Sequence, residues 1–427
     1  MGLLILLGLF ALFTVAGVPV AFGLGISALA SFIYEGLPLM IGFQRFVSGM
    51  SVFSLLAIPF FIFAGELMLH GGIAARLVRL ASSAVGWMRG GLGQVNVFSS
   101  MLFGGISGSA VADVSALGSL LIPVMKEKGY KDDYAVNVTV TSSIAGIMIP
   151  PSHNMILYVV AAGGGMSVAN LFIAGIVPGV LMCLALAFVA RWIAIRENFP
   201  TEEFAGWKVV LISFIASLPG LLTAIIIVGG ALSGVFTVTE SGAIGALYAI
   251  AITAIAYRTL SWEGFWTAVT RSVKTTGLVM ILVGCASAFG YMLAMYQVPE
   301  LLSSTLTSIS DNPIVILLMM NLMLLLLGMI MDMAALILIC TPIFLPVAIG
   351  LGMDPIHFGV MLMMNLGLGL CTPPVGACLF VGCAVGGVPI ARAVRTIWPY
   401  YIALFIVLML ITYVPWISMI LPKLFGI

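Results

Sequence analysis

Two consecutive prolines interrupt apolar stretches twice in this 427-residue chain, at Pro150-Pro151 and at Pro373-Pro374. A proline donates no backbone hydrogen bond and clashes with the preceding turn, so a helix must open where two of them occur. Around the first pair, in TSSIAGIMIPPSHNM (141–155), the carbonyls of residues 146–149 lose their helical partners. A hard cation such as Na⁺ prefers oxygen ligands, so these carbonyls are candidate ligands.

A segment rich in glycine and serine, GGISGSAVADVSALGSLLIP (104–123), precedes the first break. Ser107, Ser109 and Ser115 offer hydroxyl groups, and Asp113 offers a carboxylate. An ionisable side chain inside an apolar stretch is a functional hypothesis by default, because its charge is costly at membrane depth. Capping of a half-helix is the alternative role for this carboxylate.

The second pair of prolines has a similar setting. The segment GMIMDMAALILICTPIFLP (328–346) carries Asp332 near its tip, and it precedes the break NLGLGLCTPPVG (365–376). The hydroxyl of Thr372 occupies the position that Ile149 has in the first copy. An apolar segment paired with a broken helix therefore occurs twice, which predicts two similar cation sites flanking one substrate site.

The two halves share one register, since several Gly and Pro residues of the first half recur 223 positions later. The matches are Pro150-Pro151 with Pro373-Pro374, Pro123 with Pro346, Gly105 with Gly328, Gly129 with Gly352, Gly146 with Gly369, and Gly163-Gly164 with Gly386-Gly387. Repeats of opposite orientation with Gly/Pro-interrupted helices in matching positions are typical of secondary transporters, whose site lies near the membrane midplane at those breaks.

The composition defines the elements that must position these residues. Hydrophobic residues make up 62% of the chain, charged residues 7%, and the mean hydropathy is +1.26. A soluble domain has about 25% charged residues, so a soluble globular protein, a disordered chain and a nucleic-acid binder are all excluded. The apolar runs are continuous rather than alternating, which favours membrane-spanning helices.

Lys and Arg orient the chain, because they concentrate in cytoplasmic loops. Fourteen of the 16 fall in clusters that can all be cytoplasmic, which leaves Arg45 and Lys423 outside. The stretch 98–122 then has both flanks inside, and 313–347 has both flanks outside, so each is predicted to be a re-entrant hairpin. Ten crossings are predicted, at 2–16, 18–34, 52–70, 133–161, 167–190, 209–234, 239–257, 276–296, 357–386 and 397–421.

Three segments carry a resemblance to a known family. GGISGSAVADVSALGSLLIPVM, AGIMIPPSHNMILY and LGLCTPPVGACLFVG, in this order and spacing, resemble the large membrane subunit of tripartite ATP-independent periplasmic (TRAP) transporters. The similarity extends over essentially the whole chain, and in general character it is nearest to the subunits for sialic acid. The resemblance implies an elevator-type, sodium-coupled importer of organic acids in the bacterial inner membrane. It also implies two partners, a small membrane subunit of about four helices and a soluble periplasmic substrate-binding protein.

The resemblance also implies which residues hold the ions and the substrate. The expected cofactor is sodium, with two or more ions. The residues assigned to the first sodium site are Ser107, Ser109, Gly146, Ile149 and Pro151; those assigned to the second are Gly328, Asp332, Gly369 and Thr372; those assigned to the substrate are Asp113, Ser152, Asn154 and Pro373.

The predicted fold is an all-α polytopic membrane protein, an inverted-repeat elevator with about ten crossing helices, two re-entrant hairpins and interfacial amphipathic helices at 38–50 and 261–275. Four regions are expected from it. Residues 1–97 and 191–275 would each supply scaffold helices and one arm. Residues 98–190 would form the first half of the transport domain, with hairpin 98–122 and broken helix 133–161, and residues 276–427 the second half, with hairpin 313–347, broken helix 357–386 and a C-terminal helix.

Two alternatives remain open at this stage. One is an ion-coupled di- or tricarboxylate carrier that works without a binding protein. The other is an intramembrane enzyme that uses Asp113 and Asp332 as a pair of carboxylates. The repeat argues against the enzyme, because the residue equivalent to Asp332 in the first copy is Ser109 rather than Asp113.

Overall fold

The computed structural model describes residues 1–426, which form helices and no strand. The helices of the first half are α1 Gly2–Val15, α2 Val20–Tyr34, α3 Leu39–Met50, α4 Ala57–His70, α5 Ile73–Val85, α6 Gly91–Ser107, α7 Ala110–Glu127, α8 Asp132–Ser142, α9 Ala145–Met148, α10 His153–Ala161 and α11 Val168–Arg196. Those of the second half are α12 Trp207–Leu232, α13 Val238–Ala251, α14 Trp262–Met295, α15 Val298–Ile309, α16 Pro313–Gly328, α17 Met333–Gly350, α18 Pro355–Leu370, α19 Ala377–Gly386, α20 Ile390–Thr396, α21 Trp398–Tyr413 and α22 Pro415–Leu424. A 3₁₀ turn (Phe53–Leu56) precedes α4, and a π-helical turn (Ile252–Ala256) follows α13.

The all-helical membrane fold is confirmed. Within residues 1–426, six helices are long and apolar enough to cross a membrane, or up to nine if each bent pair counts as one span. The ten predicted crossings include α1 and α2, which have only 14 and 15 residues. A perpendicular crossing takes about 20 helical residues, so these two helices are short for that role.

The internal repeat is visible in the helix boundaries. A shift of 223 residues places α7 onto α17 at both ends, and it places the start of α8 onto the start of α18. Gly129 and Gly352, which follow α7 and α17, both have a left-handed backbone with φ of 81° and 84°. Both Pro–Pro peptide bonds are cis. The two halves therefore repeat one chain path.

One predicted arm differs between the copies. The amphipathic segment 38–50 is a separate helix, α3, but the prediction of a separate helix at 261–275 is wrong. There the chain continues without a break into the predicted crossing 276–296, as the single 34-residue helix α14. Pro59 cannot donate a hydrogen bond to the carbonyl of Leu55, and the residues before it form a 3₁₀ turn instead of α-helix. The chain then leaves helical geometry at Val52, where ψ is 122°, whereas its counterpart Thr275 lies inside α14.

Other boundaries also depart from the sequence expectation. The predicted crossing 397–421 is two helices, α21 and α22, bent by 61° where Pro415 follows Val414. Proline disfavours the helical conformation of the residue before it, which accounts for the bend. The sequence analysis also missed two amphipathic helices, α5 and α15, which lie at matching places in the two halves.

The core of the fold lies around the two broken helices. Every residue of α18 from His357 to Leu370 is buried, as is nearly all of α8, whereas α1 and α12 expose much of their surface. Five helices, α2, α3, α4, α13 and α14, form a peripheral group. Within it, α14 contacts α2, α3 and α4, and α13 contacts α4. This arrangement holds both breaks at the centre of the molecule.

Candidate ion and substrate site at two hairpin tips

The inner hairpin reverses direction at three residues between α6 and α7. Ser107 ends α6, Gly108 takes a left-handed conformation with φ of 63°, and Ser109 caps α7. The Ser109 hydroxyl oxygen accepts a hydrogen bond from the backbone N–H of Ala112, at 3.5 Å. Glycine and serine therefore form this tip because a tight left-handed turn and a helix cap need them.

Asp113 lies one turn into α7, and its side chain is buried, with the residue 1% exposed. The Ser107 hydroxyl donates a short hydrogen bond to Oδ1 of this carboxylate. Its other oxygen, Oδ2, is buried and has no hydrogen-bond partner within residues 1–426. A buried carboxylate oxygen without a partner is costly, so this position can hold a cation or a proton.

The inner tip packs directly on the first helix break. A Cβ atom built on Gly146 would lie 2.5 Å from Oδ2 of Asp113, and one built on Gly108 would lie 3.0 Å from the carbonyl oxygen of Pro151. One built on Gly105 would lie 3.2 Å from the carbonyl oxygen of Pro150. The close approach requires glycine, and it gathers the predicted residues Ser107, Ser109, Asp113, Gly146, Ile149 and Pro151 into one cluster.

The residues that follow the inner break are also buried. Ser152 and Asn154 stand at the start of α10, and both side chains are withdrawn from the surface. The Ser152 hydroxyl has no hydrogen-bond partner in the described part of the chain. The inner unit, α6 to α10, thus has four buried side-chain oxygens without a hydrogen-bond partner within residues 1–426, those of Ser99, Asp113, Asn137 and Ser152.

The outer hairpin, formed by α16 and α17, packs on the second break, between α18 and α19, in a similar way, and these four helices form the outer unit. A Cβ atom built on Gly369 would lie 2.7 Å from Cα of Gly328, and the N–H of Val375 donates to the carbonyl oxygen of Met329 at 3.0 Å. The Thr372 hydroxyl donates to the carbonyl oxygen of Leu368 at 2.7 Å, which leaves its own oxygen able to accept. Backbone contacts therefore join Gly328 to Gly369 at this break.

The outer acid has a different setting from the inner one. Oδ2 of Asp332 accepts a hydrogen bond at 3.0 Å from the N–H of Ala334, so this carboxylate caps α17. The described contacts do not bring it to the break, and they do not join Pro373 to Ser152 or Asn154. The two broken helices nevertheless touch, since a Cβ atom on Gly367 would lie 2.8 Å from Cγ2 of Ile144.

Two buried polar clusters escaped the sequence analysis. In the inner unit, the Asn96 amide donates to the Thr139 hydroxyl at 2.6 Å, and the Ser100 and Ser142 hydroxyls are 2.8 Å apart. In the outer unit, the Asn365 amide donates to Oδ1 of Asn321 at 2.9 Å. The sequence did contain a signal for these polar residues. An amide inside an apolar run needs a hydrogen-bond partner, and Asn365 occupies the position in the second half that Ser142 has in the first, 223 residues earlier.

The fold and the site together define a class. Two copies of one chain path, each with a hairpin packed on a broken helix at the protein centre, are the architecture of a membrane transport protein. The crystal structure of the YdaH transporter of Alcanivorax borkumensis shares this fold: it aligns with 97% of this chain and 98% of its own length at a TM-score of 0.68, with 15% sequence identity.

Sequence comparison then gives the family. Residues 7–417 match the family described as "Tripartite ATP-independent periplasmic transporter, DctM component", and the chain belongs to that family. It is 44% identical to the uncharacterized protein YgiK of Salmonella typhimurium, over 99% of this chain and 98% of that one. It is 40% identical to the sialic acid TRAP transporter large permease protein SiaM of Vibrio cholerae, over 96% of both chains. The protein is thus a multi-pass transporter permease subunit, and the enzyme alternative is not supported.

Proposed function

We propose that this chain imports an organic acid, with sialic acid as the first candidate, by sodium-coupled elevator transport across the bacterial inner membrane. It would act as the large subunit beside a small membrane subunit of about four helices. A periplasmic substrate-binding protein would deliver the substrate. The 40% identity to a sialic acid permease supports this substrate.

The buried carboxylate of Asp113 carries the proposal, which moves this residue from the substrate, where the sequence prediction put it, to the first sodium site. Its unpartnered Oδ2 lies against Gly146, at a break where proline leaves backbone carbonyls without helical partners. A Na⁺ ion would satisfy several of these oxygens at once and would neutralise the carboxylate. The outer unit would use the same backbone plan, with the Thr372 hydroxyl as its side-chain ligand.

The substrate would be an anion held between the units. Helices α10 and α19 both begin directly after a break, and a helix N-terminus carries partial positive charge that favours an anion. Ser152 and Asn154 at the start of α10 would add hydrogen bonds. Because bound sodium adds positive charge beside the same space, ion and substrate should each raise the affinity of the other by an equal factor.

The elevator movement is supported by how the helices are grouped. A cavity of about 300 Å³ lies between α3 and α14 on one side and α10 and α17 on the other. Small residues line it, including Gly49, Ser287 and Gly290. A loosely filled boundary between the peripheral helices and the hairpin units leaves room for one group to slide along the other.

Reconstitution tests the proposal. The chain, its small subunit and the binding protein are placed in proteoliposomes, and uptake of labelled sialic acid is measured with and without an inward sodium gradient. We expect uptake only with sodium and only with the binding protein present. Uptake without sodium would contradict the coupling. Uptake of a labelled dicarboxylate by the chain alone would favour the standalone carrier.

A further inference from the structure

The segment that joins the two halves of the chain runs from residue 197 to residue 206, between α11 and α12. We call it the strap. It has no regular helix, and Phe199 is its only buried residue, at 5% exposed. A polar loop with one buried aromatic ring is anchored at that ring.

The Phe199 ring packs against two tyrosines of the turn and first helix that follow α7. Its centroid lies 4.7 Å from that of Tyr130 and 4.9 Å from that of Tyr134. The carbonyl oxygen of Pro200 accepts a hydrogen bond at 3.3 Å from the N–H of Gly90, just before α6. The strap is therefore attached to the inner hairpin unit rather than to the peripheral helices.

Charged side chains reinforce this attachment. Nζ of Lys131 lies 2.5 Å from Oε2 of Glu197, and Lys128 pairs with Glu202. Nη2 of Arg89 donates to Oδ1 of Asn198 at 2.6 Å. Glu203, directly after Glu202, makes no ion pair within residues 1–426, so it provides a matched control for the charge. The next residue, Phe204, adds a further contact, because its ring centroid lies 6.2 Å from that of Trp87 in the turn before α6.

We propose that the strap limits how far the inner hairpin unit can move away from α12, with Glu197, Phe199 and Glu202 as positioning residues for the transport step. While it is attached as far as Phe204, only residues 205 and 206 can extend, a span of about 7 Å at about 3.5 Å per residue. Detached from residue 198 onward, the connection could span about 30 Å. On the far side, α12 packs on α13, which belongs to the peripheral group.

Movement of the hairpin unit away from α12 beyond that span must therefore detach the strap from its C-terminal end, first at Phe204 and then at Glu202. This inference rests on the proposed elevator movement. Weaker anchors lower the cost of peeling and speed the exchange of substrate across the membrane. The ion pairs are partly exposed, so each should change the exchange rate by about two- to fivefold.

The test compares neighbouring glutamates in the reconstituted complex. Glu202→Lys should speed sodium-supported exchange of labelled substrate about two- to fivefold, and adding Lys128→Glu should restore the original rate. Glu203→Lys should leave the rate unchanged. Spin labels on Glu127→Cys and Ala205→Cys report the attachment directly; the native cysteines are all buried. Their distance distribution should broaden in Glu202→Lys and narrow again in the charge swap.

Equal rates for Glu202→Lys and Glu203→Lys, or a charge swap that restores neither rate nor distance, would overturn the proposal. Exchange that never depends on sodium would remove the proposed function instead. In that case the spin-label distances still decide whether the strap is attached through Glu202.

Discussion

The inner and outer hairpin units share a backbone plan but differ in where they place charge. In both, glycine allows a hairpin helix to touch the broken helix backbone to backbone, at Gly104 with Ala145 and at Gly328 with Gly369. The inner unit then adds a buried carboxylate, Asp113, to the break. The outer unit uses its acid to cap a helix and offers a threonine hydroxyl.

The comparison shows that a repeat can keep its geometry while its side-chain chemistry diverges. A buried carboxylate changes the charge of a site by a full unit, whereas a hydroxyl contributes one dipole. We therefore expect the inner unit to contribute more to cation affinity than the outer one. The predictions below test this order.

The largest effect should come from Asp113→Asn. The change keeps the shape of the side chain and removes its charge, so the inner site would lose its charged ligand. Hydrogen bonds to charged groups are worth about 1.5–3 kcal/mol, which corresponds to a change of about 10- to 150-fold. Sodium-driven uptake, measured against sodium concentration, should need correspondingly more sodium.

Asp332→Asn is the matched control for that change. Asparagine caps a helix about as well as aspartate, so the N-cap of α17 should survive and uptake should change little. If the two substitutions shifted the sodium curve equally, the inner and outer acids would be equivalent, and the contrast between the units would be wrong.

Much of this comparison was accessible from the sequence. The Pro–Pro pairs predicted both helix breaks, the Lys and Arg distribution predicted both hairpins, and the 223-residue register predicted the repeat that the helix boundaries show. The separate arm at 261–275 was wrong because the chain stays helical at Thr275, whereas the first copy leaves helical geometry at the equivalent Val52. As amides inside apolar runs, Asn365 and Asn321 could have been recognised as polar groups that need partners, but their pairing could not, because the sequence does not show which helices meet. The assignment of ions to these residues stays a prediction.

The second prediction concerns what the units share. Gly104→Ala and Gly369→Ala each place a Cβ atom about 2.7 Å from backbone atoms of the facing segment. Backbone cannot yield as a flexible side chain does, and overpacking of this kind costs about 1–3 kcal/mol. Both variants should lower the thermal unfolding midpoint of the purified protein.

Gly350→Ala provides the control, because a Cβ atom at that position has no neighbouring heavy atom within 4 Å. It should leave the midpoint unchanged. A loss of stability confined to Gly104→Ala or to Gly369→Ala would mean that only one unit depends on the close backbone approach, which would break the shared part of the comparison.

The smallest effect is expected at Thr372, and it tests whether the hydroxyl of the outer unit is a ligand. Thr372→Val keeps the side chain close to its shape and removes one oxygen. The carbonyl of Leu368 keeps a hydrogen bond from the N–H of Cys371 at 3.1 Å, so no backbone group is left unpaired. Loss of one neutral polar interaction is worth about 0.5–1.5 kcal/mol, so the sodium concentration for half-maximal uptake should rise about two- to tenfold.

Two controls separate ligation from packing. Ile149→Val, at the symmetry-related position, should do little, because only the backbone of residue 149 could bind an ion. Thr267→Val removes a hydroxyl that donates to a carbonyl four residues earlier, as Thr372 does, but on the exposed surface of α14. It should leave the sodium curve in place. If Thr372→Val leaves the curve of uptake against sodium concentration unchanged, this hydroxyl is excluded from the site. Equal shifts in Thr372→Val and Ile149→Val would show that packing at the breaks, rather than the extra oxygen, governs sodium affinity.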